Sequence, residues 1–201
     1  FALKVPDGTT IILVGSNYLQ SGKGAGETNC YGVLCDGDLT IQGSGTLTAL
    51  GAPNLTSLDD QNVCYGIYAT RTITIENGAT VIAKSTSATG NSCGIFAENI
   101  VITDSTVSAS SSGSEAGFSC GIYASEYIYI TNSTVNTPSG IYASGDVEIS
   151  QSTVNALNPG IEYGIYGDNV TITGGTVYAA AQSADGCGIC AVARVVITDN
   201  A

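Results

Sequence analysis

The chain contains no histidine, methionine or tryptophan. Its only basic residues are Lys4, Lys23, Arg71, Lys84 and Arg194. Against 17 carboxylates they leave a net charge of −12. A nucleic-acid footprint needs clustered lysine and arginine to neutralise phosphates, so nucleic acid is excluded as a partner class. The same deficit argues against an anionic membrane surface. No apolar run approaches the roughly 20 residues of a membrane-spanning helix. Leucine is sparse, while glycine, serine, threonine, valine and isoleucine dominate, a balance that favours strands and tight turns over helices. A secretory leader is missing too, and the chain starts at Phe1, which reads as a mature fragment of a larger protein, so that the missing leader says nothing about compartment.

What is present is a repeat. The phrase Gly32-Val33-Leu34-Cys35 returns as Gly66-Ile67-Tyr68-Ala69, Gly94-Ile95-Phe96-Ala97 and Gly121-Ile122-Tyr123-Ala124. It returns again as Gly140-Ile141-Tyr142-Ala143, Gly164-Ile165-Tyr166-Gly167 and Gly188-Ile189-Cys190-Ala191. An alternating strand follows each phrase, as in Leu39-Thr40-Ile41 or Ile73-Thr74-Ile75. A Thr-Val or Thr-Leu step comes third, as in Thr80-Val81 and Thr106-Val107, usually with an alanine two places on. Three period-2 strands per unit, with no helical pattern between them, predict stacked coils with parallel pairing. The expected fold is all-β: a right-handed, single-stranded parallel β-helix of about seven coils. It forms one domain over 1–201, with an opening coil at 1–29 and repeats over 30–201. In the opening coil, Ile11 to Val14 read as a buried run, and Leu19 as the third-strand anchor. Each inward Ile or Val is expected to contribute about 1.5–3 kcal/mol through burial.

Between the second and third strands lies a column of Gly43, Asn77, Asp104, Asn132, Gln151 and Gly174. Glycine and asparagine tolerate left-handed backbone, so the column predicts a fixed corner. Successive repeat glycines are 34, 28, 27, 19, 24 and 24 residues apart. Nearly all of that variation falls between the third strand and the next glycine phrase. The variable segments, Ala49–Val63, Ala83–Ser92, Ala109–Ser119, Asn136–Ser139, Asn155–Tyr163 and Ala179–Gly186, are therefore expected on one edge, where solenoids often bind partners.

The seven cysteines are Cys30, Cys35, Cys64, Cys93, Cys120, Cys187 and Cys190, and an odd count excludes complete intramolecular pairing. Five sit one or two places before a repeat glycine and read as one stacked apolar column. A disulfide between stacked neighbours such as Cys93 and Cys120 is left open by strand parity alone. Cys187 and Cys190, three apart on a strand, point to opposite faces, which argues against dithiol or metal chemistry there.

Tyr68, Phe96, Tyr123, Tyr142 and Tyr166 form the candidate ligand-binding column. Each lies between two inward residues and so faces outward. Flat amphipathic rings suit stacking against sugar C–H faces, and mutual stacking that reinforces the sheet is the competing reading. Asp59 and Asp60, in the longest variable segment, are the candidate metal ligands, with oxygens of the kind calcium takes. Asp36 and Asp38 lie at a turn; for both clusters, solvated turn residues are the simpler reading. The outward threonine column (Thr46, Thr80, Thr106, Thr134, Thr153, Thr176) resembles one rank of an ice-binding array, but its second rank is mixed. No catalytic residues are assigned, since no nucleophile–base pair is visible.

Asp36-Gly37-Asp38-Leu39-Thr40-Ile41, Gly43, Gly45-Thr46-Leu47 and Gly66-Ile67 with Ala69 resemble a family of bacterial secreted carbohydrate-binding β-helix proteins. These are the clostridial cellulose-binding proteins, which share the pectate lyase fold. The repeats also look like those in surface adhesins of gut Firmicutes. The resemblance covers about 30–201. It implies a secreted or wall-anchored location, a polysaccharide or cell-wall glycan as partner, and bound calcium. The family often places lysine where this chain has Tyr68, Phe96, Tyr123, Tyr142 and Tyr166. The expected function is non-catalytic carbohydrate binding of an adhesin kind. A structural or protein-binding stalk that spaces other domains of the same chain is the alternative, with a calcium-dependent polysaccharide lyase a distant third.

Overall fold

A computed structural model describes residues 1–21, 29–51, 63–86, 91–112, 119–158, 163–183 and 185–199. Among these residues the structure is all-β, with 19 strands joined in one continuous sheet and every pairing parallel. The chain is a parallel β-helix.

The first coil is β1 (Leu3–Val5), β2 (Thr9–Ile12) and β3 (Ser16–Gln20). The next four coils repeat the triplet: β4 (Asn29–Cys35), β5 (Leu39–Gln42) and β6 (Thr46–Gly51); then β7 (Val63–Ala69), β8 (Thr72–Glu76) and β9 (Thr80–Thr86). The fourth is β10 (Ser92–Ala97), β11 (Asn99–Thr103) and β12 (Thr106–Ser112), and the fifth is β13 (Ser119–Ala124), β14 (Ile128–Thr131) and β15 (Thr134–Thr137). In the later coils the strands run on across the corner between the second and third faces. β16 (Ile141–Ala143) is followed by the long β17 (Val147–Asn158), β18 (Tyr163–Ala181) and β19 (Cys187–Thr198).

The core is three sets of superposed columns. Ile67, Ile95 and Ile122 stack from the first strands and Ile75, Ile102 and Ile130 from the second, all fully buried; Val81, Val107 and Val135 from the third are at most 1% exposed. Stacking identical side chains about 4.8 Å apart lets one sequence period solve the packing of every coil. The repeat glycine is steric: a Cβ at Gly66 would lie 2.6 Å from the Gly94 carbonyl oxygen and 2.7 Å from the Lys84 nitrogen, where first and third strands converge.

The corner column is left-handed as expected, with φ of 57° at Asn77, 49° at Asp104, 47° at Asn132 and 49° at Gln151, and with Gly43 and Gly174 also positive. Behind it runs a buried serine ladder that the sequence reading missed, although Ser105, Ser133 and Ser152 each precede the Thr-Val step. The backbone N–H of Ser105 donates to Ser133 Oγ (3.2 Å), and that of Ser133 to Ser152 Oγ (3.1 Å). Each hydroxyl donates in turn to the carbonyl two residues before it, at 2.7–2.8 Å. The ladder thereby satisfies amides that the turn removes from regular pairing.

The opening coil departs from the expectation in two ways. Residues 11–14 are not a buried run: Leu13 is 2% exposed, but Ile12 is 67% and Val14 80% exposed, because the segment alternates at the edge of the stack. Leu19 pairs with Ala49, so it occupies the alanine column, and Asn17 pairs with the anchor Leu47. Leu3-Lys4-Val5 pairs with Val33-Leu34-Cys35 and is an eighth copy of the phrase, with Ala2 where the others have glycine. At the far end, Val195 and Ile197 hold inward positions opposite Val170 and Ile172 yet are exposed, since no described coil covers them.

Candidate functional site

Register places Lys4, Leu34, Tyr68, Phe96, Tyr123, Tyr142, Tyr166 and Cys190 in one column. The five aromatic residues are all half-buried and face away from the core, as expected. Their rings do not lie open, however. Ring centroids are 5.4 Å apart at Tyr68–Phe96, 4.9 Å at Phe96–Tyr123, 5.3 Å at Tyr123–Tyr142 and 4.5 Å at Tyr142–Tyr166. Interplanar angles are 15°, 10°, 4° and 8°. Coil stacking fixes the side-chain spacing at about 4.8 Å, the separation of one offset-stacked ring pair, so each inner ring covers its neighbours' faces. Of the two readings of the column, the rings adopt the mutual stacking, and the column offers ring edges along its length.

A second aromatic layer flanks the column, which sequence reasoning did not single out. Tyr31 and Tyr65 precede repeat glycines, and that position was the available signal. Tyr65 packs 4.9 Å from Phe96 and 5.4 Å from Tyr68, and Tyr31 lies 5.4 Å from Tyr68. Tyr65 is 7% exposed, and burial pushes its phenol well above the ordinary range. Beside these rings runs a groove of about 280 Å³, lined by Tyr65, Asn91, Cys93, Phe96, Tyr123 and Tyr142. These residues come from four successive coils, so the groove runs along the solenoid axis for about 14 Å.

The cysteines form two columns where one was expected. Cys30 pairs with Cys64, and the next residue in that column is Ser92. Cys93 pairs instead with Tyr65 on one side and Cys120 on the other. The glycine drops out of the pairing on these strands, so residues before it follow a parity different from residues after it. Burial, with help from neighbouring Cys30, pushes the Cys64 thiol up to about 12, and burial also raises Cys120 well above its usual value.

At the first corner, Arg71 reaches across two coils. Its Nη2 donates to both oxygens of Asp7, at 2.6 and 2.7 Å, and lies 3.0 Å from Asp38. The Asp38 amide donates to Asp7 Oδ1 (2.8 Å), and that bond together with Arg71 holds the Asp7 carboxyl below its usual range. Lys4 pairs with Asp36 at 2.8 Å. Asp36 and Asp38 are thus occupied by cationic side chains, and the hydrogen bond to Asp7 raises the pKa of Arg71 in turn. Asp59 and Asp60 lie outside the described residues, as do the centres of most variable segments. Several flanks assigned to those segments are strand, such as Ala83–Thr86 in β9 and Ala109–Ser112 in β12. Among the described residues no group of three or more Cys, Asp or Glu is arranged to hold a metal ion.

Comparison with known proteins gives no match to any family model, curated protein or solved structure.

Proposed function

We propose that this β-helix is a non-catalytic binding module for an extended, largely uncharged glycan, working at the cell surface or outside the cell. The observation that carries this reading is the open groove along the aromatic column, lined by Tyr65, Asn91, Phe96, Tyr123 and Tyr142. Its length across four coils and its modest depth suit a polymer segment better than an enclosed small ligand, whose pockets usually run from about 300 Å³ upward. Tyrosine edges combine apolar carbon with a hydroxyl, the mixture a sugar hydroxyl-and-C–H surface calls for. The strong negative charge disfavours acidic polysaccharides. The resemblance to secreted carbohydrate-binding β-helices and surface adhesins points the same way.

Pull-down on neutral polysaccharides and a glycan array provide the test, with Tyr123→Ala and Tyr142→Ala as site variants. Retained binding by both variants would remove the groove as the site. A second reading, a stalk that spaces other domains, is favoured by the occupied ring faces, which make the column a stiffening spine. That reading expects no glycan to be captured by the wild-type protein.

A further inference from the structure

We propose that Cys93 and Cys120 form a disulfide that staples two successive coils beneath the aromatic column. The two residues are register partners on the first strands of adjacent coils, and their Sγ atoms lie 2.8 Å apart in the reduced form. Closing that gap to a bond of about 2.05 Å needs a movement of about 0.75 Å, within the reach of χ1 adjustment, and in-register parallel strands hold Cα atoms inside the span that disulfides accept. The pair is 1% and 2% exposed and forms with Tyr65 a cluster against which Phe96 and Tyr123 rest. Tyr65 occupies the same column one coil earlier, so only this stretch of the column places two thiols together. Neither thiol has a role in the binding groove beyond Cys93 forming part of its wall.

The oxidant is a low-molecular-weight disulfide, RSSR. The two thiols release two protons and two electrons, one S–S bond forms between Sγ atoms, and RSSR is cleaved to two RSH. Thiolate is the attacking species, and burial disfavours it at Cys120. The bond therefore forms while the coils are closing and, once buried, is shielded from reductant.

The test is to refold the full chain in a glutathione redox buffer and map its peptides without reduction. The expected product contains a Cys93–Cys120 linked peptide, absent from a Cys93→Ala variant. The bond closes a segment of 27 residues. Its reduction in unfolded protein, followed by refolding with alkylated thiols excluded, should lower Tm by about 10 °C. The Cys93→Ala/Cys120→Ala double variant should show no such drop. Seven alkylatable thiols after oxidative refolding would overturn the proposal. So would pairing of either residue with another cysteine, or equal Tm shifts in wild type and double variant.

Discussion

Replacing Tyr123 by alanine separates a column that holds the fold from one that merely decorates it. Tyr123 is stacked on both faces, 4.9 Å from Phe96 and 5.3 Å from Tyr142, at interplanar angles of 10° and 4°. Aromatic pairs contribute about 0.5–1.5 kcal/mol each beyond area burial, so losing two costs about 2 kcal/mol. For a chain of this size that is a Tm lower by about 4–8 °C. Tyr123→Phe keeps both stacks and gives up the exposed 3.3 Å hydroxyl contact to Ser144, so it should stay within about 0.5 kcal/mol of wild type. Phe96 already occupies the same column, so phenylalanine is sterically acceptable there. Differential scanning calorimetry on the three proteins reads the difference. An alanine variant melting within 1 °C of wild type, or a phenylalanine variant as unstable as the alanine one, would refute the stacking argument, whatever either does to binding.

Three further outcomes follow from the same packing. Ser133→Ala removes the acceptor for the Ser105 amide in a buried corner, and should cost about 1–3 kcal/mol in chemical denaturation, whereas an exposed serine such as Ser125 should tolerate alanine. Gly94→Ala places a Cβ 2.7 Å from the Ser110 nitrogen and 2.8 Å from the Ala83 oxygen, and should lower the yield of folded protein on gel filtration far more than Gly78→Ala, whose Cβ would meet nothing and whose cost is the strain of alanine at a φ of 81°. Stability of the reduced protein should fall in alkali. An unfolded cysteine ionises near pH 9 while folded Cys64 holds its proton to about 12, so the contribution is whole below pH 9 and is lost as pH rises towards 12. Tyr31, Tyr65 and Tyr142, all raised above 10 mainly by burial, act with the same sign, and a flat stability profile from pH 8 to 11 by circular dichroism would contradict this.

Much of the fold was readable because stacking repeats each structural demand at a fixed period. Val33, Ile67, Ile95 and Ile122 announce an inward column through recurrence, and the Asn77 to Gln151 column announces a left-handed corner through residue type. Legibility failed where local geometry breaks the period. Ala2 in place of glycine hid the first coil's phrase, so Leu19 was aligned one step away from its true partner Ala49. The irregularity at the repeat glycine split the cysteines into two columns that a parity count merges. For the site, alternation alone revealed that Tyr68 to Tyr166 face outward. It could not show that their faces would be covered by one another, since ring orientation depends on the side-chain torsions of neighbouring coils. Tyr65 and Asn91 join the groove through the fold of the chain before the glycine, where no period-2 rule applies.

Isothermal titration of the full chain with neutral oligosaccharides of increasing length tests the binding account most directly. The account predicts heat of binding that grows with oligosaccharide length until the four-coil groove is filled and then levels off, and that is lost in Tyr142→Ala protein shown by calorimetry to be folded. Absence of binding at every length, or binding unchanged in the folded variant, would contradict it.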